Sequence, residues 1–134
     1  MRNFLPKKQC IVVRGLLERS GRILVVQSPK GLALEYYEFP GGYVEFGSDP
    51  TKTLVDLFFA QTHIPVDVGA PLHTISRMSP NDNTQTIEII YRVFPRGSFN
   101  IEKPDHETML WVEADDTGYF FSSYISETIR LISG

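Results

Sequence analysis

Cysteine is almost absent from this chain: Cys10 stands alone among 134 residues. A single thiol excludes an internal disulfide and any multi-cysteine zinc site, and it suits a reducing compartment. Histidine is nearly as scarce. His63, His73 and His106 do not lie at ligand spacing from one another, so no histidine metal centre is expected. No apolar run approaches the ~20 residues of a membrane span, and MRNFLPKKQC has no apolar stretch of signal-peptide length. The expectation is a cytoplasmic protein with no membrane contact. An excess of positive charge is missing too: a formal net charge of −3 supplies no general attraction to nucleic acid, which is therefore not an expected partner. Repeats and low-complexity segments are also lacking.

What is present is the composition of one globular domain, residues 1–134, long enough to bury a core. Gln9 to Leu17 and Arg22 to Gln27 are apolar, β-branched runs joined by Glu18-Arg19-Ser20-Gly21, which predicts a hairpin. Their near-continuous apolarity predicts strands covered on both faces. Residues 28–35 read as a loop leading to a strand at Tyr36-Tyr37-Glu38-Phe39, where the tyrosines either pack on the sheet or stack on a planar ligand. Further on, strands are predicted over Leu72 to Met78 and Thr86 to Phe94, separated by the turn Ser79-Pro80-Asn81-Asp82-Asn83. The second alternates, with Ile87, Ile89, Tyr91 and Val93 on one face and Glu88 and Arg92 on the other. Arg77 and Arg92 are placed to reach phosphate or to pair with an acid such as Glu88. Towards the end, Phe121, Ile125, Thr128 and Ile132 follow helical spacing behind a serine cap at 122 or 123.

Between these runs, Gly41-Gly42 is predicted to break the Tyr36–Pro40 strand into a loop, and Asp49-Pro50 to cap and open a helix. That helix, ending near Thr62, carries Leu54, Val55, Leu57, Phe58, Phe59 and Ala60, which point nearly all the way round it. Such a helix is expected to be buried on most sides. His63 follows it at a corner where a left-handed backbone would carry strain.

The stretch EFPGGYVEFGSDP, closed by AQTHI, resembles the signature of the Nudix hydrolases. In that signature a glycine is followed by five residues and a glutamate, then seven residues and Arg-Glu. After these come an apolar residue, any residue, Glu-Glu, any residue, a glycine and an apolar residue. Counted from Gly42 without a gap, the first glutamate position is Ser48 and the arginine position Asp56. The later glutamates fall on Leu57, Ala60 and Gln61, the glycine on His63 and the closing apolar residue on Ile64. The resemblance implies an α/β fold, the Nudix-type α/β/α sandwich with a mixed β-sheet between helices, spanning the chain in element order. It also implies metal-assisted hydrolysis of a diphosphate. Positions 57, 60 and 61 share one helix face, where carboxylates turned toward the glycine loop would hold Mg²⁺. Leu57 and Ala60 bring no oxygen and Gln61 one neutral carbonyl, so no metal ligand is assigned and no cofactor is expected.

Three functions follow from that frame. In the first, the domain has lost metal-dependent hydrolysis and binds a nucleotide or related small ligand through Gly41, Gly42, Glu45, Gln61 and Glu107. In the second, a divergent hydrolase uses Mg²⁺ or Mn²⁺ at relocated carboxylates, with Glu45, Asp56 and Glu107 as catalytic candidates and Asp49 beside them. Glu107 earns its place by the resemblance, which sets an acid shortly before a strand tryptophan, here Trp111. In the third, the apolar helix 50–62 forms a homodimer contact.

Overall fold

The computed structural model describes residues 6–27, 36–79, 81–97, 109–113, 120–121 and 128. Among them are nine strands and one helix: β1 (Lys8–Leu16), β2 (Glu18–Arg19), β3 (Arg22–Gln27), β4 (Tyr36–Glu38), β5 (Gly41–Val44), α1 (Pro50–Thr62), β6 (Val66–Ser79), β7 (Thr84–Pro95), β8 (Met109–Glu113) and β9 (Phe120–Phe121). The strands form two sheets. One runs β5-β1-β7-β6, with β1 and β7 parallel and the other neighbours antiparallel, so the expected mixed sheet is present. The other runs β2-β3-β4-β9, with β8 on the far edge of β3.

The predicted hairpin between the first two runs needs correcting. β1 spends both of its edges on β5 and β7, which leaves none for β3. The chain instead bends at buried Leu17 into the second sheet, where only Glu18-Arg19 folds back on β3. Ser20 (φ 53°) and Gly21 (φ 79°) make that tight turn, both in the left-handed region that two-residue hairpin loops favour. Two-sided burial holds as expected: Val12, Val13, Leu16, Ile23, Leu24, Val25 and Val26 are all buried.

Alternate residues of both sheets feed two apolar clusters. Val13, Leu24, Val26 and Val93 join Leu54 and Phe58 of α1 in one. Leu16, Ile23, Val25 and Ile90 join Tyr37 and Phe39 in the other. Tyr37 thus serves the core. The helix lies close on the sheet because β1 has no side chain at Gly15, where a Cβ would stand 2.9 Å from the Phe58 ring.

α1 begins as expected. The Asp49 carboxylate accepts from the Thr51 N–H at 3.0 Å, and Pro50 takes the first turn. Its burial does not match expectation: Leu54, Phe58 and Thr62 are buried along one stripe, whereas Asp56, Phe59 and Ala60 are exposed. The outer apolar residues lie on the side turned from the sheet, and Phe59 sets its ring 6.0 Å from that of His63. His63 closes the helix at φ 61°, the left-handed conformation foreseen, and its N–H donates to Phe59 O at 2.8 Å.

β6 and β7 are longer than the predicted strands and pair as an antiparallel ladder, with a register shift near Pro71. The predicted C-terminal helix falls outside the described residues except for Thr128, which is helical and buried. Phe121, placed in that helical pattern, belongs to strand β9 beside β4.

Candidate functional site

Gly41 and Gly42 are not a loop. They open β5, pairing with Arg14 and Val13 of β1, and the break falls one step earlier, at Phe39-Pro40. That bend carries the chain from one sheet to the other and is tied to β1 twice. The Gly15 N–H donates to Pro40 O at 2.9 Å, and Arg14 Nη1 donates to Phe39 O at 3.0 Å. The loop between strand and helix is therefore residues 45–49, closed by a Ser48 N–H bond to Glu45 O at 3.0 Å.

α1 crosses this glycine corner. Leu57 faces Gly42 so closely that a Cβ there would meet its Cδ1 at 3.2 Å. Gln61 reaches Gly41 and bonds both of its backbone polar groups: the Gly41 N–H donates to Oε1 at 3.0 Å, and Nε2 donates to Gly41 O at 2.8 Å. The structure thus brings Gly41, Gly42 and Gln61 together. It does not bring the candidate carboxylates to them. Asp56 is exposed and pairs with Lys52 Nζ at 3.4 Å one turn back, Asp49 is engaged in capping, and Glu45 is exposed in the loop. Ser48, at the first glutamate position, is exposed as well. Glu107 and His106 lie outside the described residues.

The donor set does not suit Mg²⁺ or Mn²⁺. Hard cations take oxygen ligands, largely carboxylates. The α1 side chains that face the glycine corner, Leu57 and Gln61, offer an isobutyl group and an amide oxygen already accepting from a backbone N–H, and Ala60 is exposed. Among the described residues, no group of three or more His, Cys, Asp and Glu side chains is placed to hold an ion.

A second polar constellation lies on the sheet face opposite α1. Partners across the strands point the same way, which puts Val12, Glu88 and Ile75 in one row and Arg14, Ile90 and His73 in the next. Glu88 Oε1 accepts from Arg77 Nη2 at 2.5 Å and lies 3.8 Å from Arg14 Nε. Arg14 Nη1 also meets Glu38 Oε1 at 3.3 Å. Glu88, Arg14 and Glu38 are buried or nearly so. The pairing of Arg77 with Glu88 was expected, whereas the parts of Arg14 and Glu38 were missed. The signal was Arg14 itself, a charge set inside the apolar run IVVRGLL. Arg92 is half-buried on β7.

No family model matches the sequence, and no curated protein does. Solved structures do match. The E. coli ORF135 protein aligns at a TM-score of 0.76 and 20% identity, over 95% of this chain and 90% of that one. A MutT Nudix hydrolase from Burkholderia pseudomallei also aligns at 0.76, with 16% identity, over 94% of this chain and 99% of that one. A UDP-X diphosphatase aligns at 0.71 and 17% identity, where 96% of this chain spans 63% of the other. At such identities the likeness is one of architecture alone: the chain has the Nudix hydrolase fold.

Proposed function

We propose that this chain is a Nudix-fold domain that binds a nucleotide or related small ligand without metal-dependent hydrolysis. The observation that carries the reading is the side of α1 against the glycine corner, where Leu57 supplies no oxygen and Gln61 is bonded to Gly41. Support for the ligand class comes from the resemblance and from a neighbour of the same fold whose name is that of a UDP-X diphosphatase. Among the described carboxylates that a relocated site would need, Asp56 pairs with Lys52, Asp49 caps the helix and Glu45 is exposed, which disfavours the divergent hydrolase.

Calorimetry with a panel of nucleoside diphosphate derivatives, run in EDTA and again in Mg²⁺ or Mn²⁺ with product analysis, tests this. Heat of binding is expected in both buffers and product in neither. Turnover of one per second or faster, the low end of ordinary enzymes, appearing only with metal would overturn the reading, as would absence of binding across the panel.

One observation favours a second reading. Phe59 is 49% exposed on the outer side of α1, next to exposed Ala60. Self-association through that side would bury both, and light scattering at micromolar concentration is then expected to give twice the monomer mass. A monomer mass that F59D leaves unchanged removes this reading.

A further inference from the structure

The corner that does not suit a cation shows what stands in its place. The Gly41 peptide presents a donor and an acceptor to α1, and Gln61 answers both, at 3.0 and 2.8 Å. A side-chain amide carries an oxygen acceptor and a nitrogen donor side by side in one plane, which is the complement of the N–H and C=O that one extended residue presents on the same edge. A carboxylate at position 61 would satisfy the N–H and set its second oxygen against the Gly41 carbonyl oxygen. Two acceptors at that distance need a proton or a cation between them. Next to this pair, the Leu57 methyl fills the space beside Gly42 that a further oxygen ligand would have to cross.

We propose that the Gln61 amide takes the place of a divalent cation, holding Gly41 to α1 so that the glycine corner is formed with no ion bound. Gln61 is on this account a positioning residue: it shapes the corner against which a ligand would sit. The inference rests on the functional reading above in one respect, that the corner belongs to the ligand site, and it makes the shape of that site independent of metal.

The test is an NMR titration of ¹⁵N-labelled protein with Mn²⁺, whose unpaired electrons broaden nearby resonances, together with thermal melts in EDTA and in millimolar Mg²⁺ or Mn²⁺. In the unaltered protein the Gly41 amide is expected to stay sharp, and the melting temperature to be the same in all three buffers. Q61E is expected to melt lower in EDTA by roughly 4–8 °C, the effect of losing a bond and opposing two acceptors. Mn²⁺ should then restore much of that loss and broaden Gly41. Q61A, which removes the amide without adding a ligand, is expected to lose stability with no recovery in metal. Broadening of Gly41 in the unaltered protein overturns the proposal, and so does a Q61E that responds to metal no more than Q61A. Should Q61E fail to fold in EDTA, refolding on addition of Mn²⁺ is the same test. Metal-dependent turnover with Gly41 unbroadened would end the functional reading and leave this inference standing.

Discussion

Replacing Glu88 by glutamine is expected to destabilise the protein by about 3 kcal/mol, the lower end of the cost of breaking a buried ion pair. The glutamine fills the same volume, so the effect reads charge rather than packing. The Glu88 side chain is 2% exposed and faces two guanidinium groups, Arg77 at 2.5 Å and Arg14 at 3.8 Å. Arg14 is 12% exposed and keeps Glu38, which is why the cost stays near 3 kcal/mol rather than rising further. Arg77 is 46% exposed, and its charge can turn to water. R77A leaves the buried carboxylate with Arg14, 3.8 Å away, and should cost less than E88Q, roughly 1–2 kcal/mol. Urea unfolding checks both, with midpoints shifted and slopes unchanged. Equal losses from E88Q and R77A would show that the carboxylate is held by solvent-exposed contacts and not by its burial.

Much of the architecture was legible in the residues because local patterns and tertiary needs agree there. Asp49-Pro50 reads as a helix start and is one, since the cap chemistry is satisfied within three residues. At His63, where the sequence marked a corner that a left-handed backbone would strain, φ is 61°. The alternation of Thr86 to Phe94 survives in β7. It failed where pairing, not pattern, decides. Nothing in IVVRGLL or RILVVQ says which edges a strand will share, so two adjacent runs that read as a hairpin entered separate sheets. The helix was misjudged for a related reason. Counting apolar residues around its circumference ignores that a sheet covers one side only, and Phe59 and Ala60 lie on the other.

The site was legible to the same degree. The register that set Leu57 and Gln61 toward Gly41 and Gly42 agrees with their contacts, whereas Ala60, assigned to the same face, is exposed. What no spacing reveals is that Gln61 would be engaged by a backbone peptide twenty residues earlier in the chain. Asp56 shows the converse. It lies one turn from Ala60, yet a helix turns its residues by 100° each, and this carboxylate points to Lys52 and solvent.

Changing Gly41 to alanine is expected to be the most damaging alanine substitution among the described glycines, costing upwards of about 4 kcal/mol, the range reserved for outright conflict. Gly41 has φ 153°, a conformation that L-residues rarely adopt, and an added Cβ would lie 2.0 Å from Val13 O and 2.8 Å from Arg14 Cα. These are backbone atoms of β1, which is held between β5 and β7 and has nowhere to retreat. Two neighbouring glycines grade the argument. A Cβ at Gly47 (φ 87°) would touch nothing within 4 Å, so G47A should cost only the backbone strain, about 1–3 kcal/mol. G42A meets only the Leu57 methyl at 3.2 Å, the end of a side chain that can shift, and should cost least of the three. Thermal melts of the three variants should then rank Gly41 far below Gly47 and Gly47 below Gly42. If Gly41 and Gly47 tolerate alanine equally, close approach of strands is not what fixes the glycine. If the ranking holds, the glycine corner has a structural reason of its own: β5 can approach β1 only without a side chain at residue 41, whatever the helix beside it does or does not bind.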